Sequence, residues 1–131
     1  MTPFPSQPVD PTPRPGRPVR GSRTGRPVMA LLDLLGRRWA LRVLWELRDG
    51  DPLTFRELQA RCGDVSSSVL NDRLRELRAA SIVTAAPGAG YRLTAEGKDL
   101  LVALTPLDAW AWRWAERAGQ AGPDLTSPSA A

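Results

Sequence analysis

Residues 54–94, TFRELQARCGDVSSSVLNDRLRELRAASIVTAAPGAGYRLT, constrain the fold more than any other stretch. Thr54 and Glu57 have capping-box spacing at the start of an apolar run that includes Phe55 and Leu58. That helix is expected to end near Arg61. Cys62-Gly63-Asp64-Val65 reads as a four-residue turn, with Gly63 available for positive φ. Ser66 is placed to cap a second, longer helix over residues 66–80. Ile82-Val83-Thr84 and Tyr91-Arg92-Leu93 read as strands joined by a short Ala-Pro-Gly-Ala-Gly tip. Helix, turn, helix and hairpin in that order predict a mainly α fold with a small β-hairpin, a winged helix-turn-helix.

The flanking segments are helical in pattern. Leu31, Leu32, Leu34 and Leu35 precede a break at Gly36, and Trp39, Val43, Leu44 and Leu47 then recur at helical spacing. Asp49-Gly50-Asp51-Pro52 stops that helix, and Leu53-Thr54 is a candidate for one short strand. Thr94 is expected to cap a helix that runs through Leu104. Thr105-Pro106-Leu107-Asp108 then has the signature of a new start: Thr as N-cap, Pro at the first position, an acid in the first turn. Two terminal helices are therefore predicted. The resulting organisation is an Arg/Pro-rich tail over 1–27, a folded domain over 28–118 and a Gly/Ser/Pro/Ala tail over 119–131. Both tails are expected to be disordered.

Composition removes several function classes. The 131-residue chain has no histidine and one cysteine, Cys62. His-dependent triads, His/Cys zinc centres and internal disulfides are excluded, and no cofactor or metal site is expected. No nucleophile–base pair is available for an enzyme. No apolar run reaches the ~18 residues of a membrane span, and the N-terminus lacks a hydrophobic signal core, so a cytoplasmic protein is expected. Cys62, in the turn, could serve as a thiol sensor, but the default reading of a lone cysteine is a small buried hydrophobe.

Charge is unevenly distributed. Residues 1–27 hold Arg14, Arg17, Arg20, Arg23 and Arg26 against one acid, Asp10, and so carry the whole formal charge of +4. The rest of the chain is neutral. The five arginines recur every third residue, which places them on one side of a polyproline II tail. RPGRP and TGRP resemble the AT-hook core RGRP, so contact between this tail and nucleic acid is one reading. A solubilising leader is the other.

On the 66–80 helix Leu70, Leu74 and Leu77 form the stripe expected to face a core. Ser67, Ser68, Asn71, Arg75 and Arg78 lie away from it, with Ser66 at the helix start. Asn pairs bidentately with adenine and Arg with guanine, while Ser serves base edges or phosphate. These residues are the candidate contacts to double-stranded DNA. Arg73 is expected at a phosphate or in a salt bridge, and Asp72 either pairs with Arg75 or accepts from a cytosine. Arg92 on the hairpin and Arg56 and Arg61 on the preceding helix are candidate backbone contacts. Trp110 and Trp114 share a face with Leu107, whereas Trp112 is rotated ~200° from Trp110. Apolar aromatics on two sides of one surface helix predict a second buried surface, most economically a two-fold dimer.

LDLLGRRWALRVLWEL (32–47), FREL (55–58), VSSSVLNDRLREL (65–77) and YRLTAEG (91–97), followed by a Trp-bearing helix, resemble the HxlR-type winged helix-turn-helix regulators of bacteria. The resemblance covers residues 26–117. It implies a dimeric, sequence-specific transcription factor, usually a repressor, that pairs through its first and last helices. Leu31 and Leu35 then join Leu107, Trp110, Trp112 and Trp114 as expected interface residues. It also marks departures. Electrophile sensors of this type carry a cysteine just before the first helix, where this chain has Arg26-Pro27. The usual glycine after the recognition helix is Ser81, and the wing is short. The rival reading is a winged-helix protein-interaction adaptor without sequence-specific DNA binding, which the neutral charge of residues 28–131 favours slightly.

Overall fold

The structure, a computed structural model, describes residues 26–119 together with Pro15. The expected tails lie outside these residues except at their inner ends. Seven elements follow in order: α1 Pro27–Leu35, α2 Ala40–Glu46, α3 Phe55–Arg61, α4 Ser67–Ala79, β1 Val83–Ala86, β2 Gly90–Leu93 and α5 Ala95–Arg117. Helix α1 begins within the expected tail, because Pro27 occupies a first-turn position where its missing N–H costs nothing.

Local signals fix most boundaries. Gly36 ends α1, and Trp39 precedes α2 at a left-handed φ of 77°. Trp39 thus stands outside the helix to which its spacing assigned it. The capping box of α3 is complete. Thr54 Oγ1 accepts from the Glu57 N–H at 3.1 Å, and Glu57 Oε1 accepts from the Thr54 N–H at 2.9 Å. Hydrogen bonding of the Glu57 carboxyl to Thr54, to its backbone N–H first and to its side chain second, holds that carboxyl below the usual carboxylate range. Gly63 and Asp64 turn the chain at φ 75° and 60°, and the Ser66 hydroxyl accepts from the Val69 N–H at 3.3 Å to open α4.

After α4, Ser81 adopts φ 63°, the left-handed conformation that favours glycine. Thr94 secures the adjoining corner. Its hydroxyl lies 2.6 Å from the Ser81 carbonyl and accepts from the Gly97 N–H at 3.0 Å. The hairpin is antiparallel, with Val83 opposite Leu93 and Ala86 opposite Gly90. Leu53 adds a third, one-residue strand through two hydrogen bonds with Tyr91, as the Leu53-Thr54 pattern suggested. That approach requires glycine next to it, because a Cβ on Gly90 would stand 2.3 Å from the Leu53 carbonyl oxygen.

The core is aliphatic and shared by every helix. Val43, Leu44 and Leu47 of the α2 region meet Leu58 of α3 and Leu70, Leu74 and Leu77 of α4, with Leu34, Leu35, Ile82 and Leu93 closing the sides. The expected stripe of α4 is therefore the buried one.

The prediction of two terminal helices is overturned. The two expected terminal helices are a single helix, α5, with Pro106 inside it. Thr105 does not cap a new start. Its hydroxyl instead bonds back to the Leu101 carbonyl at 3.1 Å. Pro106 leaves only the Val102 carbonyl without its helical donor, and Val102 is 70% exposed, so water can serve there.

Candidate nucleic-acid interface

The turn between α3 and α4 holds α4 with its leucines inward, and its other side is open. Ser66, Ser67, Ser68, Asn71, Arg75 and Arg78 are all exposed. The Arg75 guanidinium lies 3.8 Å from Asp72, an i,i+3 pair with both side chains about half exposed. Such a pair is weak and easily exchanged for another partner. Arg56 and Arg61 are exposed on α3. Arg92 is exposed on β2 opposite Thr84, and the hairpin tip over 86–90 carries no charge.

Arg73 is placed differently. Its Nε lies 3.0 Å from Glu76 Oε1, and its side chain is 17% exposed. Of the two roles expected for it, the salt bridge is the one formed. Glu76 is itself buried, and its other oxygen takes Arg37 from the turn between α1 and α2. Arg37 also reaches Asp33, 3.7 Å away on α1. This charge cluster ties the first helix to α4, and the sequence reading did not single out Arg37 or Glu76. Helical geometry carried a signal for it: Arg73 lies ~60° from Leu70, on the flank opposite Asn71.

Gln59 was missed as well. From α3 it donates through Nε2 to the Val65 carbonyl at 2.8 Å and to Ser67 Oγ at 3.2 Å. Arg42 links α2 to the end of α3, donating to the Arg61 carbonyl at 2.8 Å.

The expected interface residues divide into two groups. Leu107, Trp110 and Trp114 are exposed on α5, with the two indoles stacked at 6.0 Å and 12°. Trp112 is half-buried. Leu31 packs partly against the core, and Leu35 is inside it. On α1 the apolar side chains left in solvent are Val28 and Leu32, and α5 adds Val102. Leu35 is therefore replaced by its neighbour Leu32 as the open leucine of α1.

Cys62 is buried beneath the turn. Burial, with the Glu46 carboxylate adding and Arg42 opposing, raises its thiol from 9.0 to about 11. Among the described residues no acidic, histidine or cysteine cluster has metal-binding geometry, and no helix is long and apolar enough to cross a membrane.

Known proteins share this arrangement. Over 89 residues the chain is 30% identical to YvaP, an HTH-type transcriptional regulator of Bacillus subtilis, a match covering 63% of this chain and 82% of that protein. It is 29% identical over 85 residues to an HTH-type transcriptional regulator of Halalkalibacterium halodurans, covering 60% and 75%. Among solved structures, quinone-bound YodB of B. subtilis aligns with a TM-score of 0.62 at 31% identity, over 66% of this chain and 94% of that one. An HxlR-family factor of Thermoplasma volcanium shares the fold at a TM-score of 0.57 and 24% identity, over 66% and 82%. A family model described as HxlR-like helix-turn-helix matches residues 34–119. That match spans α2 to α5 and most of the chain, so the protein belongs to the HxlR-like helix-turn-helix family, whose members are transcriptional regulators and not enzymes.

Proposed function

We propose that this regulator is a homodimer that binds double-stranded DNA sequence-specifically in the bacterial cytoplasm, probing two successive major grooves with α4. The observation that carries the reading is the polarity of α4. Leu70, Leu74 and Leu77 are buried, while Ser67, Ser68, Asn71 and Arg75 are exposed on the other side. Those four are the base-reading residues. The exposed Ser66, Arg56 and Arg92 are assigned to the phosphates. Arg73 is assigned to its salt bridge.

Dimerisation is supported by the apolar side chains that α1 and α5 leave in solvent, Val28 and Leu32 on one and Val102, Leu107, Trp110 and Trp114 on the other. A two-fold axis through such a surface sets the two α4 helices ~34 Å apart on a pseudo-palindromic site. Repression is the assigned sign, by steric exclusion of other proteins from that site. The arginines at 14, 17, 20, 23 and 26 are assigned to phosphates beside it.

YodB was crystallised with a quinone bound. An effector of that kind does not reach a thiolate in this chain, because Cys62 is its one cysteine and is 1% exposed. The test of the main reading is selection of genomic fragments by the purified full chain, followed by gel shift. Enrichment of a two-fold-related motif is expected. Binding that is indifferent to sequence would favour the adaptor reading instead.

A further inference from the structure

Ser67 is the first residue of α4, exposed on the side away from the leucines, and its hydroxyl is already engaged by another helix. The Gln59 amide atom at 2.8 Å from the Val65 carbonyl must be the nitrogen, because a backbone carbonyl only accepts. That nitrogen has a second proton, and Ser67 Oγ lies 3.2 Å away to accept it. One lone pair of the Ser67 oxygen is thereby spent, and its own proton is not. Among the described residues no group accepts that proton. The rotor of an exposed serine is normally free to donate or accept. Here a side chain anchored on α3 biases it.

We infer that Gln59 sets the specificity of the recognition helix by holding the Ser67 hydroxyl as a donor, so that Ser67 selects a base edge carrying an acceptor. Guanine, adenine and thymine each present a major-groove acceptor, at N7 and O6, at N7 and at O4. Cytosine presents only its amino donor. Ser67 therefore discriminates against cytosine on the strand it faces, and Gln59 is the positioning residue. The inference rests on the DNA-binding reading above.

The experiment selects binding sites from a randomised duplex library with the full chain and three variants: Ser67→Ala, Gln59→Met and Gln59→Glu. Wild type is expected to deplete cytosine about two- to tenfold at one position of each half-site, the worth of one neutral hydrogen bond. S67A is expected to lose the depletion at that position alone. Q59M keeps the length of the side chain and removes both donors, so cytosine is tolerated while other positions keep their preferences. Q59E offers an acceptor that draws the Ser67 proton inward, and cytosine becomes favoured there. Any uniform loss of affinity from its added charge leaves that preference readable. Circular dichroism melts report whether each variant is folded.

If wild type enriches a motif but Q59M and Q59E retain its cytosine depletion, the inference is wrong while the DNA-binding reading stands. A uniform loss of affinity in S67A, with no position changed, also overturns it by placing the hydroxyl on a phosphate. If wild type enriches no motif at all, both readings fall together.

Discussion

Arg37, from the turn between α1 and α2, donates into the buried carboxylate of Glu76 on α4. The Glu76 side chain is 3% exposed, and Arg73 occupies its other oxygen at 3.0 Å. A charge so deeply buried is tolerable only while its partners are present. Replacing Arg37 by Ala is expected to cost about 3 kcal/mol, because the buried carboxylate is left with Arg73 as its one partner among those described. The double variant Arg37→Met with Glu76→Leu should recover much of that loss. Denaturant unfolding of the single and double variants at one protein concentration checks this. Additive losses would show that the two residues do not act as a pair.

Arg73 and Arg75 are two residues apart and are expected to behave in opposite ways. Arg75 is about half exposed, and its contact with Asp72 at 3.8 Å is weak. Arg75→Ala should weaken operator binding by about 1–3 kcal/mol and relax preference at one position. Arg73→Ala should lower the unfolding midpoint and leave the selected motif unaltered. Comparing motifs and melts for the two variants separates the roles. A changed motif in R73A would place that arginine at the bases.

The fold was legible because local signals agreed with the global pattern. The capping box at Thr54, the serine cap at Ser66 and the stripe at Leu70, Leu74 and Leu77 each specify one element, and none conflicts with its neighbours. Pro106 misled because a proline after a threonine is a start signal only when the preceding turn is free to end. Here Leu100, Leu101 and Leu104 pack against the core on the preceding turns, and the helix continues through the exposed side. The site was less legible. Exposure of Ser67 or Arg75 follows from a helical wheel, but Gln59 to Ser67 and Arg37 to Glu76 are contacts between elements. No periodicity within one helix encodes them.

The α5 surface gives a prediction about assembly. Leu107 and Trp114 are each 56% exposed, so neither holds the single subunit together. Changing either to Glu is expected to leave the helical content intact and to shift the protein from dimer to monomer in sedimentation or light scattering. Operator affinity should fall with it, since a half-site alone lacks the second α4. A wild-type chain that sediments as a monomer at micromolar concentration would remove the dimer from the proposal.

The arginine series makes a separate electrostatic prediction. Deleting residues 1–25 removes Arg14, Arg17, Arg20 and Arg23 and keeps α1, which begins at Pro27. If all four neutralise phosphates, the slope of log K against log salt becomes shallower by about 3.6, taking ~0.9 per contact. Titrations of full-length and shortened protein across a salt series measure it. Equal slopes would make the segment a spectator. Residues 28–131 carry no net charge, so any strong non-specific attraction has to come from this segment or from local patches such as Arg56, Arg61 and Arg78.

Cys62 yields a prediction about pH whose sign follows from burial. Its thiol titrates at about 11 in the fold against an ordinary value of 9.0, chiefly because desolvation disfavours the thiolate. The folded state therefore binds the proton more tightly than the unfolded chain does. The resulting stability is fully present below pH 9.0 and is lost as the pH rises toward about 11. The measured quantity is the difference between wild type and Cys62→Ala, which isolates the thiol. Between pH 8 and 10.5 the wild type should lose more unfolding free energy than the variant, although the variant is less stable at pH 8 for lack of the buried sulfur. Alkylation by iodoacetamide at pH 7 follows from the same cause. With a thiolate fraction on the order of 10⁻⁴ and 1% exposure, modification should proceed only through opening of the helix-turn-helix, and denaturant should accelerate it steeply. Fast labelling of the native protein would show that the turn opens readily, and would return the thiol to consideration as a sensor.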